Sequence, residues 1–402
     1  MRRRRSRNRS ESTSASGVLS GLPRLLILLL VLLPVAEWGA GALLRRLDAR
    51  SQAVVLSDKD IAKLYDSADP GHYRDVLEET PHPRDGIYEP LTEYRMPPRA
   101  GKSVSVDQAG IRGGVIGASG PRVVLFGGST AFGVGLADAE TISAALAGQL
   151  GRDGIAVRVE NRAVPGWYST QDRIAFAEML AAGTKPDVAV FMHGIDDFMH
   201  CGVPERTSWS RRLAQVGQPV GLETALRQSA LVALGRRLTG MAEPARIEDM
   251  APDCSADADV DAALARLDAN RRMIAAMAER FGVKVLFVQQ PVPTFHYDNA
   301  KRALPLGPDQ MAPFVATAKG YARLAELRGS GKLWEQDLLW LAELEPEDGN
   351  AYIDPVHYSP LFAKLIGETL AKRVGGMLAV SASPSPAAMP ATEAAPQPAV
   401  AQ

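Results

Sequence analysis

A serine in the first third of this 402-residue chain and an Asp-x-x-His pair near its end are of the types that together perform nucleophilic catalysis. A serine hydroxyl becomes a nucleophile when a histidine accepts its proton and a carboxylate fixes the tautomer of that histidine. Asp354 and His357 are three residues apart on a loop-like stretch before a helix-like segment, so both side chains can reach one point. Ser129 follows two glycines directly after the apolar run 122–126, where an open α/β sheet places its active site. The spacing is therefore compatible with nucleophilic catalysis by serine.

Two further glycine-containing loops lie between these residues. Asn161 to Gly166 follow the β-type run 155–160, and His193 to Phe198 follow the run 187–192. Because the carboxyl ends of parallel strands meet at one edge of a sheet, the three loops can line one crevice. Taken alone, Gly-Gly-Ser also fits a tight turn or a phosphate-binding loop, and Asp-x-x-His also fits a local hydrogen-bonded pair. Their occurrence in a fixed order with the other two loops favours catalysis.

The order of these blocks resembles the SGNH (GDSL-type) hydrolases over roughly Asp107 to Val374. That family has a serine after the first strand, a glycine after the second, Gly-x-Asn-Asp after the third and a late Asp-x-x-His. The run from Gly127 to Gly135 looks like the membrane-anchored bacterial branch of the family. The resemblance implies a three-layer α/β/α sandwich with a mostly parallel, doubly wound sheet. It also implies hydrolysis of an ester bond without a cofactor.

The same resemblance implies roles for individual residues. Ser129 would be the nucleophile, His357 the general base and Asp354 the carboxylate that orients it. The oxyanion hole would consist of the backbone amides of Ser129 and Gly166, together with the side chain at position 196.

Position 196 departs from the family pattern, because Asp196 stands where the family has an asparagine whose amide donates to the oxyanion. An ionised carboxylate offers no donor and repels a developing negative charge. Three explanations remain open. Burial beside Asp197 could keep Asp196 protonated. The backbone amides could form the hole alone, at a cost of about 10²–10³ in rate. Finally, the protein could have lost efficient hydrolysis.

The N-terminal region predicts a membrane anchor. Residues 1–24 form a basic stretch with seven arginines, and the apolar segment 25–44 that follows has Glu37 as its only charge. About twenty apolar residues span a bilayer as a helix, and the arginine-rich flank stays in the cytoplasm. The sequence therefore predicts a single-pass protein of the cell inner membrane, with a periplasmic part after Arg45. The alternative is a cleaved signal peptide, which would export the same part.

Composition divides the remainder of the chain. Residues 45–120, rich in Pro, Tyr and charge, predict an accessory lead-in that packs as an edge strand or cap. Residues 121–378 predict the hydrolase-like domain, and within it 201–259 is an insertion that we interpret as a candidate substrate lid. Residues 379–402, rich in Ser, Pro and Ala, predict a disordered tail.

Charge and cysteine content limit the partners. The net charge is −1, and the part after the arginine-rich N-terminus is acidic, which argues against nucleic acid. Cys201 and Cys254 are the only cysteines. An exported location permits a disulfide, but the sequence leaves their pairing open because it gives no distance. The run from His193 to Cys201 contains possible metal ligands in no established spacing, so we expect no metal site.

These observations together predict an exported, membrane-anchored serine esterase or deacylase. Its substrate would be an ester-bearing small molecule or an O-acyl group on a cell-envelope glycan or lipid, an expectation that rests on location and not on any residue. One alternative is an O-acyltransferase of the same fold, in which a sugar hydroxyl replaces water. The other is a glycan-binding module with impaired catalysis, for which Asp196 is the only support.

Overall fold

The computed structural model describes residues 32–44, 56–82, 85–201, 229–239, 241 and 253–382. The chain divides into two compact units. The larger consists of 57–212 with 251–402, and the smaller of 1–56 with 213–250. Apart from its first residues, the predicted tail 379–402 lies outside the described residues, as do the basic stretch 1–24 and residues 25–31 of the predicted anchor.

Helices and strands alternate through most of the larger unit. Among the described residues the α-helices are 32–44 (α1), Asp58–Tyr65 (α2), Pro70–Glu79 (α3), Ser129–Phe132 (α4), Ile142–Arg152 (α5), Ser169–Ala181 (α6), Ala230–Leu238 (α7), Asp257–Phe281 (α8), Pro308–Met311 (α9), Val315–Gly329 (α10) and Pro360–Ala382 (α11). The strands are Ile87–Glu89 (β1), Glu93–Arg95 (β2), Arg99–Ala100 (β3), Ser105–Val106 (β4), Arg112–Ile116 (β5), Arg122–Gly127 (β6), Arg158–Asn161 (β7), Val188–His193 (β8), Lys284–Gln289 (β9) and Leu338–Trp340 (β10).

Eight strands form one sheet in the order β10-β9-β8-β6-β7-β5-β4-β3. The first five are parallel to one another, and β5, β4 and β3 continue the sheet in antiparallel pairing. The α/β class is confirmed, but the sheet is mixed, whereas the sequence predicted a mostly parallel one. The difference arises because the lead-in adds short strands. The short connections between β3, β4 and β5 allow antiparallel pairing, and β5 joins these strands to the parallel ones by pairing antiparallel with β7.

The sheet is covered on both faces, so the structure has three layers. Along β6, Val123 and Leu125 point to one face, and Val124 and Phe126 point to the other. The first face packs against α5 and α11, and the second against α6 and α8. Both faces of the central parallel strands are buried, which explains why their sequences are continuous apolar runs and do not alternate.

The lead-in is built into the sheet edge through a buried arginine. Arg112 of β5 pairs with Asp138, and its guanidinium donates to the carbonyl oxygen of Leu136 at 2.7 Å. The same guanidinium lies 5.1 Å from the centre of the Phe132 ring. Phe132, Leu136 and Asp138 all belong to the segment that follows Ser129. The lead-in therefore holds the backbone just after the candidate nucleophile.

A disulfide closes the insertion. Cys201 and Cys254 are joined by a disulfide, with their Cα atoms 5.6 Å apart and a separation of 53 in the sequence. Residues 202–228, 240 and 242–252 lie outside the described residues, so the lid interpretation of 201–259 stays a prediction.

The smaller unit contains α1 and α7. The described α1 covers 32–44 of the predicted membrane span 25–44. In the part of the chain that the structure describes, no helix has both the length and the apolar character needed to cross a bilayer.

We expect Arg112→Met to lower the free energy of unfolding by about 2 kcal/mol, because it removes a buried guanidinium that donates to the carbonyl oxygen of Leu136 and pairs with the partly exposed Asp138. Urea denaturation of the full chain measures this. The control is Arg323→Met, which removes an exposed pair with Asp261 and should cost less than about 1 kcal/mol. Equal losses in the two variants would contradict the role given to Arg112.

Candidate active site

Ser129 is placed by two glycines at the end of β6. Gly128 precedes α4, and Ser129 is the first residue of that short helix. A Cβ atom on Gly128 would lie 2.0 Å from Oδ2 of Asp196 and 2.8 Å from the carbonyl oxygen of Trp167. No larger residue fits there unless these neighbours move. The glycine thus allows the loops after β7 and β8 to approach the serine closely.

Asp354 and His357 form a hydrogen-bonded pair in the loop before α11. Nδ1 of His357 lies 2.6 Å from Oδ2 of Asp354, while Oδ1 of Asp354 accepts the backbone N–H groups of Val356 and His357 at 2.9 and 2.8 Å. Nε2 of His357 is buried and has no hydrogen-bond partner among the described residues. The imidazole is thus oriented through Nδ1, and its second nitrogen is available to accept a proton.

The structure brings Ser129 and His357 to the same edge of the sheet through their neighbours in the chain. Thr130, next to Ser129, donates from Oγ1 to Oε1 of Gln290 at 3.1 Å and interacts with the side chain of Tyr358, next to His357. The Tyr358 hydroxyl donates to the carbonyl oxygen of Pro291 at 2.8 Å. Residues at the end of β9 therefore connect the two halves of the predicted triad.

The second predicted loop reaches the same place. Gly166 has a φ of +83°, a left-handed conformation that favours glycine. Its neighbour Trp167 contacts Gly128 through its carbonyl oxygen and donates from Nε1 to the carbonyl oxygen of Tyr94 at 3.1 Å. The Tyr94 hydroxyl in turn donates to the carbonyl oxygen of Pro165 at 2.7 Å. The lead-in strand β2 thus holds the loop that carries Gly166.

Each member of the Asp354–His357 pair shifts the pKa of the other. Burial raises the pKa of Asp354, but the charge of His357 and the hydrogen bonds from its ring and from two backbone amides outweigh burial and lower that pKa to about 2. For His357, burial lowers the pKa, and attraction to Asp354 and Asp196 outweighs it, so the net shift is upward. At neutral pH the site therefore holds an ionised carboxylate beside an imidazole that is more basic than usual.

Asp196 has a strongly raised pKa. Burial and the neighbouring carboxylates of Asp197 and Asp172 raise it, the charge of His357 opposes them, and the pKa is about 7. Near neutral pH a large share of Asp196 is protonated and can donate a hydrogen bond. Of the three explanations left open by the sequence, the structure favours the one in which burial beside Asp197 keeps this side chain protonated.

A buried acidic residue near this site was not evident from the sequence. Asp172 is fully buried, its Oδ2 lies 3.3 Å from Nε2 of His193, and burial raises its pKa. Because Asp172 falls in the first turn of α6, it reads from the sequence as a helix-capping acid. The signal that could have identified it is its place four residues before Phe176 and seven before Met179, on the buried face of that helix.

Metal ligation has no support in the part of the chain described here. No group of three or more His, Cys, Asp or Glu residues in these ranges could hold a metal ion.

The sequence pattern of the GDSL-like lipase/acylhydrolase family matches residues 125–323. The chain belongs to this family. Family membership agrees with the predicted class of activity, so this protein is an enzyme that hydrolyses ester bonds. The matched region includes Ser129, Gly166 and Asp196, whereas Asp354 and His357 lie beyond it.

Several solved structures are similar to this chain at low identity. They include a GDSL-like lipase from Bacteroides thetaiotaomicron (14% identity, 65% of this chain and 89% of that chain covered, TM-score 0.33). A lipase/acylhydrolase from Enterococcus faecalis has 15% identity, with 64% of this chain and 96% of that chain covered and a TM-score of 0.32. A lipase from a goat rumen metagenome has 11% identity, with 64% and 98% covered and a TM-score of 0.38. A comparison with curated proteins finds no match.

We expect the activity on a simple ester to fall as the pH rises through about 7, because Asp196 then loses the proton with which it donates. Asp196→Asn keeps a neutral donor at all pH values. Its kcat should equal that of the wild type within a few-fold at pH 6 and exceed it by up to about 10²-fold at pH 9, two pH units above the pKa.

A pH–rate profile of kcat for both proteins measures this, and Asp309→Asn, an exposed acid outside the site, is the control. A drop in kcat for Asp196→Asn across the whole pH range would mean that the carboxyl group has a different, positive role.

Proposed function

We propose that this protein is a serine esterase in which Ser129, His357 and Asp354 act as a catalytic triad. The observation that carries the proposal is the Asp354–His357 pair, which leaves Nε2 buried and unpartnered among the described residues at the sheet edge where Ser129 begins α4. A serine without an adjacent base is a weak nucleophile, and this pair supplies the base and its orientation.

In the first half-reaction, Ser129 Oγ attacks the acyl carbonyl carbon while His357 Nε2 accepts the hydroxyl proton. The carbonyl π electrons move to oxygen and form a tetrahedral oxyanion. When that intermediate collapses, the bond to the leaving alkoxide breaks and His357 returns the proton to it, releasing an alcohol. The acyl group is then bonded to Ser129, and the ionised Asp354 has stabilised the imidazolium throughout.

In the second half-reaction, water replaces the alcohol. The water oxygen attacks the acyl carbon while His357 accepts a proton from that water. The proton then passes to Ser129 Oγ as the bond between Oγ and the acyl carbon breaks. The products are a carboxylic acid and the free serine. In both steps the amides of Ser129 and Gly166 and the protonated carboxyl of Asp196 would donate to the oxyanion.

A carboxylic acid can replace an amide at position 196 only while it is protonated, which ties the oxyanion hole to pH. His357 must be neutral to act as a base, so activity rises as the pH passes its raised pKa. Asp196 must keep its proton, so activity falls above about 7. The two requirements together predict a bell-shaped dependence of activity on pH.

The proposed location is the cell inner membrane, with the catalytic unit outside the cytoplasm. Two observations support it: the arginine asymmetry around 25–44 and the disulfide between Cys201 and Cys254. Disulfides persist in oxidising compartments such as the periplasm and are rare in the cytosol. On this basis we propose an O-acyl group of an envelope glycan or lipid as the substrate.

We expect Ser129→Ala and His357→Ala each to remove nearly all hydrolysis of a short-chain aryl ester, by about 10⁴-fold or more in kcat. The double variant should cost little beyond either single one, because the residues act as a unit. Steady-state kinetics measures this, and a serine-reactive phosphonate should label the wild type but not Ser129→Ala.

Ser330→Ala is the matched control, because Ser330 is an exposed serine at the end of α10 and should keep full activity. Unchanged turnover in Ser129→Ala would end the proposal. If the wild type instead transfers the acyl group to an added sugar, product analysis would identify the enzyme as an acyltransferase.

Reporter fusions test the proposed orientation of the protein in the membrane. A periplasm-active reporter fused after Ala379 should be active and a cytoplasm-only reporter silent, because the arginine-rich flank stays inside. Fusion of the same reporters after Arg9 should give the opposite pattern. The reverse result at Ala379 would refute the proposed orientation.

A further inference from the structure

The only charge in the predicted membrane segment has partners in the insertion. The carboxylate of Glu37 in α1 accepts hydrogen bonds from the Ser229 hydroxyl at 2.9 Å, from the backbone N–H of Leu231 at 3.2 Å and from the backbone N–H of Ala230. These donors belong to the first turn of α7. An element about 190 residues downstream thus satisfies the one carboxylate of the anchor.

This contact satisfies both the carboxylate of Glu37 and the N-terminal N–H groups of α7. A carboxylate without partners is costly in or near the apolar phase of a membrane. The first N–H groups of a helix have no partners within that helix. The carboxylate of Glu37 and the first N–H groups of α7 therefore satisfy each other. We expect the start of α7 to stay beside Glu37, at the same depth relative to the bilayer.

Side chains of the smaller unit match the interface between lipid and water. Trp38 is 73% exposed, and Leu238 and Met241 are 79% and 63% exposed. Tryptophan is enriched where acyl chains meet headgroups. Arg236 lies in the last turn of α7, where its side chain suits the phosphates of anionic lipids.

We propose that α7 is a second membrane-contacting element, which lies beside α1 in the outer leaflet of the bilayer and binds anionic phospholipid. Its apolar side chains enter the acyl region, and the long side chain of Arg236 reaches lipid phosphates. This inference rests on the proposed anchor at 25–44. It gives the central part of the insertion a role in lipid binding, in place of the predicted role as a lid over the crevice.

The test uses the full chain in vesicles of phosphatidylethanolamine and phosphatidylglycerol. Leu238→Cys and Phe281→Cys, at exposed positions on α7 and α8, are labelled with an environment-sensitive fluorophore without reductant, so that the native disulfide stays intact. Brominated lipid should quench the label at 238 and leave the label at 281 unchanged. Hydrolysis of a soluble ester should be unaffected in both labelled proteins.

Glu37→Ala removes the acceptor that holds the start of α7, so the quenching at 238 should be lost while the protein still floats with the vesicles. Glu37→Gln keeps one acceptor oxygen and should retain more of the quenching.

Vesicle flotation distinguishes the proposed anchor from the proposed contact of α7 with lipid. A protein that floats with its label at 238 unquenched overturns this inference and leaves the anchor standing, whereas a protein that does not float overturns both. A blue-shifted but unquenched label at 238 would mean coverage by protein, such as a second copy, and also overturns the inference.

Discussion

The site depends on how closely three chain segments approach one another at the end of β6. Gly128 has no room for a side chain, because Asp196 and the carbonyl oxygen of Trp167 occupy the space where a Cβ atom would stand. This close contact brings the loops after β7 and β8 against the backbone of the candidate nucleophile. The backbone amides and the carboxyl group that would stabilise an oxyanion can converge only because the residue before Ser129 is glycine.

The same closeness determines the charge state of Asp196. Packing this side chain against backbone removes water from it, and Asp197 and Asp172 lie near enough to repel a further negative charge. A carboxyl group in such surroundings keeps its proton to higher pH than usual. The close packing that brings Asp196 beside the candidate nucleophile therefore also raises its pKa, so that part of the Asp196 population keeps a hydrogen-bond donor near neutral pH.

Much of the architecture could be predicted because the central parallel strands are buried on both faces and form continuous apolar runs. Among the three β-type runs, the predicted bounds were least accurate for 155–160, because the strand itself begins at Arg158. The antiparallel edge was harder to predict, because β3 and β4 have two residues each and show no periodicity. The mixed character of the sheet follows from these short strands of the lead-in.

For the site, the order of motifs predicted that the loops after β7 and β8 meet at the end of β6 and that Asp354 contacts His357, and the structure shows both contacts. It could not predict which side chains would surround Asp196. Asp172 comes from a helix and Tyr94 from the lead-in, and neither lies in a motif. Contacts of this kind join residues that are distant in the sequence. They depend on how helices and strands pack, so a local motif does not predict them. The raised pKa of Asp196 therefore became evident only from the structure.

The disulfide between Cys201 and Cys254 makes the insertion a separable part of the chain. Because the two Cα atoms are 5.6 Å apart, the segment between the cysteines begins and ends at nearly one point. A linker of about two or three residues could span that gap. Proteolytic cleavage between the two cysteines would also leave both parts of the catalytic unit covalently joined. The length of the insertion therefore places little constraint on the path of the chain on either side of it.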